Sequence, residues 1–457
     1  MQPTLGLISL GCAKNRVDTE GFAGLLQEVG FSLVADPAQA EYIIINTCCF
    51  IRSAQEESVD TILAAARYKT EGRCKVLAVV GCLVQRFGEK LQKLLPEVDL
   101  WLGTADYHRL PELLLAKEPP KGQLVQSQGK GWFLPEGRTR LISTPAHWAY
   151  LKIGEGCDNC CTYCVIPSVR GRRRSRSMQG IVAEAEQLLQ RGVKELNLIA
   201  QDTSAYGLDR SDGASLARLL RELDGFAGEY WLRILYAYPS HVDRQLLETI
   251  AASKHVTPYI DLPMQHAHPR ILDAMGRKGM GERLPELVRE IREVLPQAVI
   301  RSTFITGFPG ETEEEFQALL DFVQDAQLDW VGVFPYSREE GTPAASFKGQ
   351  VHPATRKRRA RQLMEVQAGI TAAKQQELVG AVVTVLVEEN DGSAGWGRSY
   401  REAPEVDGKI YFIGPAKVGE FYKARIVGIL PPYDLKAELI SAISERSLQS
   451  PVEWFTR

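Results

Sequence analysis

The chain has no apolar run approaching the ~18 residues that span a bilayer, which excludes a helical membrane protein. It also has little charge imbalance. Lysine and arginine total 54 against 57 acids, for a net charge of −3, which excludes a bulk polyanion binder. The start, MQPTLGLISLGC, lacks the basic opening and long apolar core of a signal peptide. A cytoplasmic protein is expected. Histidine is scarce, at seven residues, and none is assigned as a metal ligand.

What is present reads as an ordinary folded protein: 44% apolar and 24% charged residues. At 457 residues the chain exceeds one ordinary core, so two to three domains are expected. Nine cysteines in a reducing compartment do not suggest a disulfide framework. Their placement carries the information.

Residues 1 to 118 alternate strand and helix patterns. Apolar runs at Leu5–Leu10, Tyr42–Ile45 and Val76–Val80 are each followed by a cysteine: Cys12, Cys48 and Cys82. Alternating βα units imply a parallel sheet, whose ligands bind beyond the carboxyl ends of the strands. The three cysteines fall there, ~35 residues apart, the length of a βα unit. Three separate buried thiols are the plainer alternative, since free cysteine is a common core residue. Cys49 and Cys74 lack the pattern and are read as structural. Ser53 and Glu56 suggest a capping box for a helix reaching Tyr68.

Residues 119–142 are rich in Gly, Pro, Lys and Gln and read as a linker or a loose β excursion. A second βα series occupies 143–375. Its strand candidates are Ala149–Gly154, Glu195–Ala200, Leu232–Ala237, Tyr259–Met264, Val299–Thr306 and Trp330–Ser337. Thr312 and Glu315 form another capping box. Six units suggest a partial (β/α)6, TIM-like barrel, with chemistry at the C-terminal strand ends. Residues 378–445 change to short β segments, Val382–Glu388, Lys409–Ile413 and Glu420–Ile429, and read as a small all-β barrel. The fold class is α/β with that β tail.

Cys157, Cys161 and Cys164 form C-x3-C-x2-C after the first barrel strand. Three close thiolates can hold three irons of a 4Fe–4S cube, leaving the fourth iron open to a small molecule. Zinc is the competitor. It asks for a fourth Cys or His, and His147 precedes the strand while Cys160 adjoins Cys161 awkwardly. Gly307–Glu311 precedes a capped helix, where backbone N–H groups can meet a polar ligand. Gln201-Asp202-Thr203 ends the second strand, as a rim group or as loop caps. His266 and His268 are rim or loop residues. The run Arg170–Arg176 flanks the cysteine loop, and Arg356–Arg361 reads as a helix surface. From Ala381 to Leu439, nine acids face seven bases, which suits a basic protein partner better than RNA.

The C-x3-C-x2-C loop resembles that of the radical S-adenosylmethionine (SAM) superfamily. Together with Ser9-Leu10-Gly11-Cys12-Ala13-Lys14-Asn15, Asn46-Thr47-Cys48 and Gly81-Cys82, it is similar to the methylthiotransferases. The tail resembles their TRAM domain. The stretches 198–207, Tyr236–Pro239 and Ala403–Gly408 resemble the RimO branch, whose members methylthiolate an aspartate β-carbon in the twelfth small-subunit ribosomal protein. The sibling branch modifies a tRNA adenosine. The resemblance implies two 4Fe–4S clusters, one on Cys157, Cys161 and Cys164 and one on Cys12, Cys48 and Cys82. It implies SAM as radical source and methyl donor, with Tyr163, Gln201, Gly307 and Gly310 as candidate SAM contacts. It also implies a reductase and a sulfur donor as partners, with nucleic acid not expected as direct substrate. Cys160 stands where a non-cysteine residue is expected.

Overall fold

The computed structural model describes residues 2–127 and 131–443, with the backbone of Phe455–Thr456. Residue 445, the expected end of the β tail, and residues 128–130 of the expected linker lie outside these. Contacts divide the chain into two units. Among the described residues no helix is long and apolar enough to cross a membrane.

The first unit holds Met1–Ser143, Lys152–Gly180 and Ser337–Ala345. Its six-stranded sheet runs in the order β2-β1-β3-β4-β5-β6. The strands are β1 (Thr4–Ser9), β2 (Ser32–Leu33), β3 (Tyr42–Thr47), β4 (Val76–Gly81), β5 (Leu100–Leu102) and β6 (Gln123–Val125). Every pair is parallel. The near-continuous apolar sequences of β3 and β4 follow from this. Helices cover both faces of a parallel sheet, so alternation is lost, and all six residues of β4 are buried. The helices are α1 (Ala13–Glu28), α2 (Arg52–Ala66), α3 (Tyr68–Glu71), α4 (Cys82–Leu94), α5 (Leu110–Leu114) and α6 (Ile166–Arg170).

One open alternative is resolved here, in favour of the β excursion, and one expectation changes. The stretch 119–142 supplies β6, buries Trp132 in the core and pairs Arg140 with Glu20. It is integrated chain rather than spacer. The Ser53–Glu56 box does not form. The helix begins at Arg52 after Ile51 with no side-chain cap, and Glu56 instead accepts from Arg52 at 2.9 Å. An offset of two residues from the N-cap puts Ser53 inside the first turn.

The second unit holds Thr144–Leu151, Ile181–Tyr336 and Ser346–Arg457. Strands β7 (Trp148–Lys152), β8 (Glu195–Ile199), β9 (Trp231–Ile234), β10 (Val256–Asp261), β11 (Val299–Thr306) and β12 (Trp330–Pro335) lie side by side in chain order. The pairs from β8 to β12 are parallel. This is the open, partial barrel expected from six βα units. Helices α7 (Met178–Gln190), α8 (Leu216–Asp224), α9 (Arg244–Ala252), α10 (Pro269–Ala274), α11 (Met280–Val294) and α12 (Glu313–Ala326) separate the strands, and α13 (Pro353–Glu377) follows them. The Thr312–Glu315 capping box is present on α12.

The tail closes as a five-stranded barrel, because Ala394–Arg398 pairs with both Val382–Asn390 and Ile410–Ile413. Phe421–Leu430 and Asp434–Ala442 complete it. Phe455–Thr456 adds a short antiparallel pairing to Val382 and Val383. Ala394–Arg398 and Asp434–Ala442 escaped the sequence reading. The tail docks beside the starts of the barrel strands. Arg398 Nη2 reaches Glu195 Oε2 at 2.6 Å, and Glu388 Oε2 lies 2.8 Å from His147 Nε2. Asp407 accepts from Tyr259 at 2.5 Å and lies 3.4 Å from Arg301, so the Ala403–Gly408 stretch plugs that end. Glu388, Glu402 and Arg398 are buried, and the side chain of Asp407 is covered. The acid excess counted along the sequence is therefore partly internal and says little about the surface a partner meets.

Candidate functional site

Cys12, Cys48 and Cys82 end β1, β3 and β4, three adjacent strands of the first unit's sheet. Cys12 is the N-cap of α1 and Cys82 the first residue of α4. Helix N-termini carry positive potential that favours thiolates. The loops interlock. A Cβ on Gly11, at φ 88°, would stand 2.7 Å from Cys48 Cβ. A Cβ on Gly81, at φ 105°, would collide with Asn46 Oδ1. Asn15 Nδ2 ties the ends together, donating to Leu10 O at 3.0 Å and Thr47 O at 2.8 Å. Asn46 Nδ2 donates in turn to Asn15 O at 2.9 Å. The motif asparagines are thus clamps that hold two cysteine-bearing loops in register.

Burial raises the Cys48 thiol, and the neighbouring Cys12 adds to it. Burial pushes Cys82 up to about 12, with the Arg170 guanidinium opposing. Arg170 Nε donates to Cys82 Sγ at 3.2 Å. Cys49 and Cys74 pack in the apolar core, and burial lifts Cys74 to about 11.

The Cys157–Cys164 loop lies in the same unit. Its base is closed by Cys157 N–H donating to Gly171 O at 3.1 Å and by Glu155 with Arg170 at 3.1 Å. Inside, Cys164 N–H donates to Cys161 O. The N–H groups of Asn159 and Ile166 point at the sulfurs of Cys157 and Cys164, each at 3.4 Å. Thr162 O, beside Tyr163, accepts from Ala344 N–H at 2.9 Å. Cys160 differs from its neighbours. It is exposed, where the other three are partly buried, and its thiol turns back to Asp158 O at 3.7 Å.

The remaining candidates lie in the second unit. Gln201 follows β8. Asp202 caps its loop by accepting from Ala205 N–H at 3.2 Å and meeting His241 at 3.0 Å. Thr203 Oγ1 donates to Leu235 O at 2.7 Å. Both therefore serve the loop. Gly307 N–H donates to the carboxylate of Glu311, its own turn's acid, at 2.9 Å, and Gly310 N–H donates to Gly349 O at 2.8 Å. Arg356 packs where a Gly307 side chain would stand. Arg359 pairs with Glu311 at 2.6 Å. The run Arg356–Arg361 is thus not merely a helix surface, since two of its arginines turn inward to brace this turn. His266 lies 3.4 Å from Glu311, part of the same brace.

Three family matches cover most of the chain: Uncharacterized protein family UPF0004 over residues 4–103, Radical SAM superfamily over 151–323 and TRAM domain over 379–440. The ribosomal protein uS12 methylthiotransferase RimO of Geobacter sulfurreducens is 45% identical over 441 residues, spanning 96% of this chain and 98% of that protein. The chain belongs to the RimO family. The RimO of Heliobacterium modesticaldum is 46% identical, spanning 96% of this chain and 95% of its own. Among solved structures, the radical S-adenosylmethionine methyltransferase TsrM of Kitasatospora setae matches with a TM-score of 0.55 at 15% identity, over 87% of this chain and 77% of that one. That likeness concerns the fold alone.

The cysteines of this RimO-family chain suit iron–sulfur ligation on structural grounds. Three thiols on three neighbouring strand ends, two at helix N-termini, with a buried guanidinium on one sulfur, form a soft donor set with charge compensation. The three partly buried thiols of the Cys157–Cys164 loop, with backbone N–H groups aimed at two sulfurs, form another. Asp18, Lys152 and Glu155 escaped the sequence reading, as did the parts played by Asn15 and Arg170. Arg170 was visible only as the first of a basic run, and nothing in the sequence separates the buried arginine from the exposed Arg172.

Proposed function

We propose that this chain is a radical SAM methylthiotransferase that adds a methylthio group to the β-carbon of an aspartate in ribosomal protein uS12. Similarity at 45% identity along nearly the whole chain carries the reading, and the two cysteine sets agree with it. Cys157, Cys161 and Cys164 would hold one 4Fe–4S cluster, and Cys12, Cys48 and Cys82 a second. When bound, the clusters and SAM supply a carbon-centred radical, hydrogen abstraction and a sulfur to be transferred, chemistry that side-chain acids and bases cannot provide.

The protein's own part is positional. Asn15 and Asn46 hold the loops of Cys12 and Cys48 in register. Arg170 offsets the cost of a buried thiolate at Cys82. Glu155 and Gly171 fix the base of the Cys157–Cys164 loop. Cys160 takes no part in ligation. Tyr163, Gln201, Gly307 and Gly310 remain candidate SAM contacts. Gly307 and Gly310 would act through shape, since their N–H groups already have acceptors. The working division is 1–118 for the auxiliary centre, 143–375 for the radical SAM core and 378–445 for the TRAM tail, in a cytoplasmic protein served by a reductase and a sulfur donor.

Deleting the gene and weighing uS12 and tRNA by mass spectrometry tests this. Loss of the thiomethyl mass from uS12 with tRNA unchanged is expected. An unchanged uS12 with loss of a tRNA thiomethyl mark would overturn it in favour of the adenosine-modifying activity.

A further inference from the structure

Arg170 belongs to the segment that carries one cysteine set and touches a cysteine of the other. Its side chain is buried, at 2% exposure. Nε donates to Cys82 Sγ at 3.2 Å. Nη1 reaches Asp18 Oδ2 at 2.6 Å and Glu155 Oε2 at 3.1 Å. Nη2 donates to Asn15 Oδ1, the asparagine that clamps the Cys12 and Cys48 loops. Lys152 Nζ joins the group at 2.6 Å from Asp18 Oδ1 and pairs with Glu155. Two cations and two carboxylates cancel among themselves. Beside them the guanidinium has two further acceptors, Asn15 Oδ1 on Nη2 and the Cys82 sulfur on Nε.

A hydrogen bond donated to a ligand sulfur stabilises whichever state of an iron–sulfur centre is more negative, which is the reduced one. In a dry site this effect is large, because little solvent screens it. We propose that Arg170 is a positioning residue that sets the reduction potential of a cluster on Cys12, Cys48 and Cys82, raising it through the Cys82 sulfur. Through Glu155 the same guanidinium fixes the base of the Cys157–Cys164 loop. It therefore ties the electronic state of one centre to the footing of the other. The inference rests on the ligand assignment proposed above for the auxiliary centre.

The test uses the full chain carrying Cys157→Ala, Cys161→Ala and Cys164→Ala, reconstituted with iron and sulfide without oxygen, so that one centre is observed alone. Absence of iron and sulfide from this folded background would refute the ligand assignment itself. With the cluster present, its potential is read by electron paramagnetic resonance during a redox titration, in this background and with Arg170→Gln added. Because Arg170→Gln leaves a buried carboxylate short of a partner, Asp18→Asn/Arg170→Gln repeats the reading with one charge of each sign removed. Both variants are expected to shift to a more negative potential, with Arg170→Lys falling between them and the parent. An unmoved potential at full iron content would overturn the proposal. So would loss of the cluster from a folded Asp18→Asn/Arg170→Gln chain, which would make Arg170 a support of the site and not a tuner of it.

Discussion

Gly81 shows how a single residue can set a centre it does not touch chemically. Its φ of 105° and its closeness to Asn46 and Thr47 leave no room for a side chain immediately before Cys82. Gly30 has a similar φ of 98° with open space around it. Alanine at Gly30 meets only the backbone penalty, ~1 kcal/mol. Alanine at Gly81 meets that penalty plus a collision with two loop ends. Gly81→Ala is expected to cost at least ~2 kcal/mol more than Gly30→Ala in urea unfolding, and to lower the iron bound per chain where Gly30→Ala does not. Equal costs would show that the crowding at Gly81 relaxes freely. Glu229 is a residue of the opposite kind, held under strain by its charge. Burial raises its carboxyl from 4.5 to about 7, against the pull of Lys194 and Lys423. The folded chain thus holds a proton there that the unfolded chain has released. That contribution is whole below about pH 4.5 and is lost as pH rises through 7. Glu229→Gln should match the parent's melting temperature near pH 4 and exceed it at pH 8. A difference independent of pH would rule out this account.

At the scale of elements, legibility followed the physics of each segment. β3 and β4 were readable because apolar runs between helices leave few alternatives. Ala394–Arg398 was not, since its sequence AGWGR has two glycines, which disfavour strands. The structure supplies the reason for them: a Cβ on Gly395 or Gly397 would strike the carbonyls of Glu389 or Leu386 on the partner strand. Close strand approach selected the residues that hid the strand. Helix starts divide the same way. Ser53 sits two residues past the N-cap of α2, while Thr312 Oγ1 accepts from Glu315 N–H at 3.3 Å and Glu315 answers on Thr312 N–H at 2.9 Å. Three acids in the first turn of α12 add a favourable interaction with the helix dipole. Thr312→Ala is expected to lower stability by about 1 kcal/mol in chemical denaturation, with Thr312→Ser restoring most of it.

At the scale of the molecule, the cysteine sets and the βα series could be read from spacing, but the packing of the tail could not. Glu195 and Arg398 are 203 residues apart, and no periodicity joins them. In the second unit they form one buried polar layer. Arg233 reaches Glu195 at 2.7 Å, Arg398 reaches Glu195 at 2.6 Å and also pairs with Glu388, and His147 lies 2.8 Å from Glu388. Two arginines balance two glutamates, and burial would raise both acids were Arg398 and Arg233 not holding down Glu195, and His147 with Arg398 not holding down Glu388. Taking away one cation from such a set leaves an uncompensated buried charge, which costs ~3–5 kcal/mol. Taking away a cation and its acid together costs less, because the remaining pair stays matched. Arg398→Met should therefore destabilise the chain by that amount in urea unfolding, and adding Glu388→Gln should recover part of the loss while Glu195 keeps Arg233. A cost below ~1 kcal/mol for Arg398→Met, or no recovery in the double variant, would mean that water enters this layer and that the tail is held to the barrel by its apolar contacts alone.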